Sequence, residues 1–232
     1  MHSQDKRLLV LGDSNVGMIK DLMNADGSIL GYQDVSFWFQ TGSAFNTIGF
    51  SDGIVSGRSK DSMPPTTLAD YDHILWSGGR FRTSQVFEAI MSKPLWHYSI
   101  AFVRQIVREY LENLPAARSL RSLRSQFAGS VTILPTPLRG ICPGMEPNQT
   151  AYAGTESLYP LIWSIYNEIA ATLDATLIST PDEMIVDGFL IDARYNLTSD
   201  DDLHKNAAYA RRLLNGVSPT RTEPHPVANI IP

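Results

Sequence analysis

Polar and apolar positions in this chain fall into a repeating order. A short apolar run is followed by loop formers, then by a longer segment with apolar residues every three or four positions. "RLLVL", Arg7 to Leu11, is the first such run. Its unbroken apolar character is that of a strand covered on both faces. "NVGMIKDLMN" then sets Val16, Ile19, Leu22 and Met23 roughly on one helical face. Further strands are expected at Asp34–Gln40 and in "YDHILWSGG", which ends on Gly78 and Gly79. "SIAFVRQIVREYLENL" is the clearest helix: Ile100, Val103, Val107, Tyr110, Leu111 and Leu114 recur at three and four, with Arg104, Arg108 and Glu112 facing away. "SVTILPTP" predicts a fourth strand, and Leu158, Ile162, Ile165 and Ile169 a second amphipathic helix. "ATLIST" predicts a fifth strand, and a final helix is expected from about Asn206 to Leu214. Residues Ser51 to Thr67, rich in Gly, Ser and Pro, predict a surface loop or lid. Loops are also expected from Leu138 to Glu156 and around "VDGFL".

Alternating strands and helices predict an α/β fold with a parallel central sheet and helices on both faces, wound as one domain. In such sheets chemistry gathers at the C-terminal strand edges. Here those edges are Gly12-Asp13-Ser14, Thr41-Gly42, Ser77-Gly78-Gly79 and Pro135-Thr136-Pro137. The domain is expected to span 1–217, and the proline-rich segment 218–232 to form a loosely held tail.

Composition narrows the function classes. With 43% hydrophobic and 19% charged residues, the 232-residue chain can bury a sizeable core. A net charge of -5 lacks the basic footprint of a nucleic-acid binder. Arg118, Arg121 and Arg124, three apart, read as a solvated helix face in preference to an anion-binding stripe. Cys142 is the single cysteine, so no disulfide framework forms, which fits a reducing compartment. Its setting, "GICPGM", is not the strand-turn-helix of a nucleophile. No apolar run is long enough for a membrane span, and "MHSQDKR" has no apolar signal core; a cytoplasmic protein without membrane or nucleic-acid partners is expected. The pattern sets no oligomeric state.

The first strand edge carries the candidate chemistry. Ser14 lies where strand gives way to helix, so its backbone N–H faces developing negative charge at a helix N-terminus. A hydroxyl attacks only when a base takes its proton. Of five histidines, His2 and His225 lie in expected tails, His73 opens the third strand at the wrong edge, and His97 follows Trp96 in an insertion. His204 is different: it sits on a polar loop before the final helix, three residues after Asp201. That spacing lets the carboxylate accept from one ring nitrogen and leaves the other for a hydroxyl. Asp200 and Asp202 are fallback carboxylates, and the competing reading of all three is an acidic helix N-cap. Either half of this pair is common by chance. Their placement after the first strand and before the last helix joins them.

With these residues in view, the chain resembles the SGNH/GDSL hydrolase superfamily of esterases and lipases, from Leu8 to Leu214. "VLGDSNVG" is similar to its nucleophile block and "DDLHKNAAYA" to its Asp-x-x-His block, so the resemblance implies Ser14 as nucleophile, His204 as base and Asp201 as orienter. It also implies a flavodoxin-like three-layer α/β/α sandwich. Gly42 in "FQTGSAF" matches the second-block oxyanion glycine. The third block departs: "LWSGGRF" puts Gly78 on the family glycine and Arg80 where an asparagine donor belongs. Either Arg80 replaces that donor, Asn46 or Asn15 enters from another loop, or the site is degenerate. Asp13, Asn15, Gly78, Gly79 and Arg82 are the candidate substrate-binding positions around it. Arg80 and Arg82 would suit an anionic substrate group, unless Arg80 pairs with Asp13 or a surface acid. Trp38, Trp76 and Trp96 are either stacking platforms or core. No metal or organic cofactor is expected, for lack of a His-Glu-x-x-His, a phosphate loop or a dinucleotide fingerprint. The expected activity is hydrolysis of a carboxylic ester, an O-acyl group on a carbohydrate or a small molecule. An O-acyltransferase and a binding protein on the same fold are the alternatives.

Overall fold

The first half of the chain forms β1 (Arg7–Gly12), α1 (Val16–Asp26), β2 (Asp34–Phe39), β3 (Gly49–Ser51), β4 (Ile54–Ser56), β5 (Thr66–Thr67), β6 (His73–Arg82) and α2 (Ser84–Met91). The second half forms α3 (Ile100–Glu112), α4 (Pro115–Gln126), β7 (Ser130–Thr136), α5 (Leu158–Thr172), β8 (Thr176–Leu177), β9 (Ile185–Asp187), β10 (Leu190–Ile191) and α6 (Ala207–Leu214). This is a computed structural model, describing residues 6–58, 62–91, 98–144, 158–187 and 190–215. His2, Trp96, His97, His225, most of the expected 138–156 loop, Gly188, Phe189 and the expected tail lie outside them.

The continuously apolar runs pair into one parallel sheet, ordered β2-β1-β6-β7-β8. Val10 is flanked by Phe37 on one side and Leu75 on the other. Leu8 to Leu11 and Ile74 to Trp76 are buried, as strands covered on both faces require. Each such side chain contributes about 2 kcal/mol relative to exposure. Because the order reverses at β1, right-handed crossovers send the following helices to opposite faces. Accordingly α1 packs with α6 on one face, while α3 packs with α5 and α4 on the other. The result is an α/β fold with its reversal point between the C-terminal ends of β1 and β6, where open sheets of this kind hold their sites.

Local chemistry sets the ends of the helices. Gly27 closes α1 in the left-handed region at φ 71°, its N–H bonded to the Met23 carbonyl. Ser99 caps α3 by accepting from the Phe102 N–H, and Asn206 caps α6 by accepting from the Tyr209 N–H.

Two sequence expectations change, and a third gains detail. Within 51–67, the expected loop gives way to the strands β4 and β5, which join β3 in a small antiparallel sheet packed on α4. Its cause is Asp52-Gly53, a two-residue turn with φ of 53° and 72°, the left-handed pair that matches hairpin twist. On α3, Val103, Val107 and Leu111 are buried, but Ile100 (70% exposed) and Tyr110 face outward. Ile100 is the first residue of the helix. The arginines of α4 also do more than meet solvent. Arg118 and Arg121 donate to the Asn113 and Glu112 carbonyls at the end of α3, and Arg124 donates to the Phe127 and Gly129 carbonyls.

Candidate active site

Ser14 is held at the reversal point by a close approach of two strands. A Cβ on Gly12 would lie 1.9 Å from the Ser77 carbonyl oxygen, so only glycine lets β1 pass β6 there. The Asp13 N–H then donates to that same carbonyl at 3.3 Å. The buried Asp13 carboxylate ties the turn together. Its Oδ1 accepts from the Asn15 N–H (3.0 Å) and from Asn15 Nδ2 (2.7 Å). Its Oδ2 accepts from the Arg80 N–H at 3.1 Å. With these bonds made, Ser14 is the exposed residue of the turn, directly before α1.

The second segment is a loop that leaves and returns at one point. Asn196 and Lys205 form a β-bridge at its neck, and the Leu197 N–H bonds the His204 carbonyl. At its tip Asp201 accepts through Oδ1 from the N–H groups of His204 (2.9 Å) and Leu203 (3.0 Å). Asp201 Oδ2 lies 2.9 Å from His204 Nδ1, and His204 Nε2 lies 3.1 Å from Ser14 Oγ. Partial burial pushes the Asp201 carboxyl up, but the backbone and ring donors of His204 and the Leu203 N–H outweigh it and hold it below the usual range. The carboxylate therefore accepts from Nδ1–H, which leaves the Nε2 lone pair on the serine side. Both distances fall within hydrogen-bond reach for a nucleophile, base and orienter.

The fallback carboxylates are occupied elsewhere. Asp200 accepts from Thr198 Oγ1 at 2.8 Å, and Asp202 is ion-paired with Arg139. The residue that sequence reading missed is Lys205. It is 2% exposed, and Nζ donates to Asn196 Oδ1 (3.0 Å) and the Asp202 carbonyl (2.7 Å). Asn196 Nδ2 in turn donates to the Ile141 carbonyl at 2.8 Å. The loop is thus pinned to the chain after β7. Desolvation pushes the Lys205 amine down to about 8, against the opposing pull of the Asp202 and Asp201 charges. No local signal marks it in the sequence, because a lysine beside three acids reads as surface.

The middle blocks are placed as follows. Gly78, Gly79 and Arg80 take φ of 66°, 53° and 60°, three left-handed residues in succession, where the β6–β7 register also shifts. At Gly78 a Cβ would sit 2.5 Å from Asp13 Oδ1, and at Gly79 2.1 Å from Trp76 Nε1. Arg80 does meet Asp13, but through its backbone N–H; among the described residues no carboxylate pairs with its guanidinium. Arg82 is half-buried, and its carbonyl accepts from the Tyr166 hydroxyl. Gly42, at φ 56°, opens a short 3-10 turn (Gly42–Thr47) on which it and Asn46 are exposed. The Gln40 N–H bonds the Gly12 carbonyl at 3.1 Å, which brings the end of β2 alongside Ser14.

Several candidates are structural. Trp38 is buried, with Nε1 donating to the Pro64 carbonyl, and Trp76 is buried edge-on against Phe45. His73 is buried against Thr132 Oγ1 at the far edge of the sheet, and desolvation pulls it down to about 4. The Cys142 thiol is buried and pushed up by desolvation. A cleft of about 60 Å³ lies at the serine, lined by Ser14, Asn15, Gly17, Met18, Asp21, Leu197, His204 and Lys205. Among the described residues no group of three His, Cys, Asp or Glu is placed to hold a metal ion, and no helix is long and apolar enough to cross a membrane.

No protein-family model matches the chain, and no curated protein matches it. Solved structures similar to it include an extracellular lipase from Streptomyces rimosus, at 16% identity and a TM-score of 0.45, covering 92% of this chain and 97% of that one. Another is a carbohydrate acetylesterase family member from Sinorhizobium meliloti, at 15% identity and a TM-score of 0.39, covering 92% and 96%.

Proposed function

We propose that this protein is a serine ester hydrolase of the SGNH/GDSL type, with Ser14 as nucleophile, His204 as base and Asp201 as orienter. The observation that carries the reading is the continuous path from Asp201 Oδ2 through the imidazole to Ser14 Oγ, at 2.9 and 3.1 Å. In this mechanism His204 Nε2 takes the Ser14 proton as Oγ attacks the ester carbonyl. The tetrahedral oxyanion is met by the Ser14 N–H at the start of α1 and by the Gly42 N–H. His204 then protonates the departing alcohol. A water molecule, deprotonated by the same nitrogen, releases the acid from the acyl-enzyme. With the Asn15 amide donating to Asp13, the Arg80 guanidinium and the exposed Asn46 amide are the candidates for a third donor.

The cleft favours a small acyl group. It is small, about 60 Å³, and an acetyl is the acyl group proposed first. Asn15 and Asp21 give the cleft polar lining that suits a hydroxyl-rich alcohol, so an O-acetyl group on a carbohydrate is the substrate class of choice. Rates on p-nitrophenyl acetate and butyrate test both parts. The expected result is acetate turnover at least about tenfold faster than butyrate, since added methylenes overfill the cleft. Ser14→Ala should remove nearly all of that turnover together with labelling by a fluorophosphonate. Equal rates in wild type and Ser14→Ala would end the assignment.

A further inference from the structure

His204 reaches Ser14 from the tip of a loop, so the aim of its imidazole is the aim of that loop. Residues 197–204 are tied to one another. The Asp201 N–H donates to the Thr198 carbonyl at 3.2 Å, and Asp201 Oδ1 accepts from the Leu203 and His204 N–H groups. A segment bonded internally in this way turns as one piece about its neck, the bridge between Asn196 and Lys205.

Lys205 joins neck and tip at once. Its Nζ donates to Asn196 Oδ1 at 3.0 Å on the neck side and to the Asp202 carbonyl at 2.7 Å on the tip side, one residue from Asp201. Both acceptors are held in turn by the segment after β7. The Gly140 N–H donates to the same Asp202 carbonyl at 2.8 Å, and Asn196 Nδ2 donates to the Ile141 carbonyl at 2.8 Å. The approach is close: a Cβ on Gly140 would lie 1.8 Å from Asn196 Oδ1. At 2% exposure the amine makes its bonds with little competition from water. Burying an amine costs stability that an apolar side chain of equal length would not. What the amine adds is direction.

We infer that Lys205 is a positioning residue for the base, its two hydrogen bonds fixing the angle at which the Asp201–His204 tip faces Ser14. The inference rests on the assignment of Ser14 and His204 as nucleophile and base. Lys205 acts through His204 and not on the ester. The Nε2–Oγ distance of 3.1 Å is already near the outer end of hydrogen-bond reach. A slip of about 1 Å at the reacting atoms costs about a hundredfold in rate.

The role is one of bonds, not of charge. Lys205 is faced by Asp202 and Asp201 of the loop and by Cys142 and Arg139 of the segment after β7. A neutral amine retains two N–H groups, enough for Asn196 Oδ1 and the Asp202 carbonyl together. The aim is therefore the same on either side of the amine's titration.

Steady-state kinetics on p-nitrophenyl acetate with Lys205→Met and Asn196→Ala test the inference. Lys205→Met should lower kcat about thirty- to a hundredfold, with KM within about threefold of wild type. The ratio of wild-type to Lys205→Met kcat should stay constant within about twofold from pH 7 to 9, although the stability difference between the two changes over that range. Asn196→Ala, which removes the acceptor at the neck, should lower kcat at least about tenfold. The double variant should be no slower than Lys205→Met within about twofold, because the two residues act as one unit. If Lys205→Met does not fold, Asn196→Ala carries the test. A kcat for the variant within about threefold of wild type, a loss confined to KM, a ratio that closes as the amine titrates, or losses that add in the double variant would each overturn the inference and leave Ser14-dependent turnover standing. Turnover that survives Ser14→Ala would instead remove the triad reading, and this inference with it.

Discussion

Asp201→Asn separates orientation of the histidine from its presence. The substitution keeps shape and volume. Its side-chain oxygen can still accept from the His204 and Leu203 N–H groups, as Asp201 Oδ1 does at 2.9 and 3.0 Å. Those two bonds dictate which way the new amide faces: its NH₂ must point at His204 Nδ1, where Oδ2 now lies at 2.9 Å. An NH₂ only donates, so Nδ1 must become the acceptor and the ring proton moves to Nε2. Nε2 then presents a hydrogen, not a lone pair, to Ser14 Oγ, and the base is lost without moving an atom. The expected fall in kcat is on the order of 10⁴, about 5.5 kcal/mol of barrier. KM should stay within about twofold, because Asp201 does not line the cleft. Stability at neutral pH should fall only modestly. The Asp201 carboxyl is held below its unfolded value, so its stabilising effect is full above the unfolded pKa and is lost as pH falls through the folded one. The variant should therefore lose part of the wild-type acid sensitivity. Steady-state rates on p-nitrophenyl acetate, with urea midpoints at pH 3 to 7, measure both effects. A kcat within about tenfold of wild type would refute the assigned tautomer and the role drawn from it.

Lys205 carries a second pH signature of the same sense, in the alkaline range. Its amine is pulled down to about 8 in the fold, so between 8 and the ordinary 10.5 the unfolded chain binds more protons and stability rises with pH. The difference in unfolding free energy between wild type and Lys205→Met should shift by roughly 3 kcal/mol from pH 7 to 10.5, and a flat difference in urea titrations would contradict this. Gly12→Ala should cost at least about 3 kcal/mol by thermal or urea unfolding, since its Cβ meets the Ser77 backbone and not a movable side chain. Arg80→Gly should raise the unfolding free energy by roughly 0.5–1 kcal/mol, because an arginine at φ 60° bears a steric cost that glycine does not.

What the sequence displayed depended on whether a signal was local. The buried strands were legible because β1 and β6 have apolar residues on both faces, and the nearness of Ser14 to Asp201 and His204 followed from where strand edges fall in such a sheet. The Asp52-Gly53 hairpin was masked by the Gly, Ser and Pro around it, although that dipeptide alone names its turn. On α3 two apolar stripes overlap at steps of three and four, and Tyr110 fits either until packing separates them. Lys205 was illegible because a lysine reads as surface; its burial depends on Asn196 and on the chain after β7, partners set by tertiary contact. Arg80 was read by its side chain, whereas its backbone makes the contact to Asp13.

The contact between Ser14 and His204 spans 190 positions, and the helices behind them meet through Arg211 on Asp26 at 2.8 Å. During synthesis the hydroxyl leaves the ribosome long before its imidazole exists. On the proposed mechanism, that serine is an ordinary alcohol until α6 docks, so a stalled or clipped nascent chain would have no base to attack esters with. If Ser14 is the nucleophile, its competence would arise only once the segment that carries His204 has been made and folded against it.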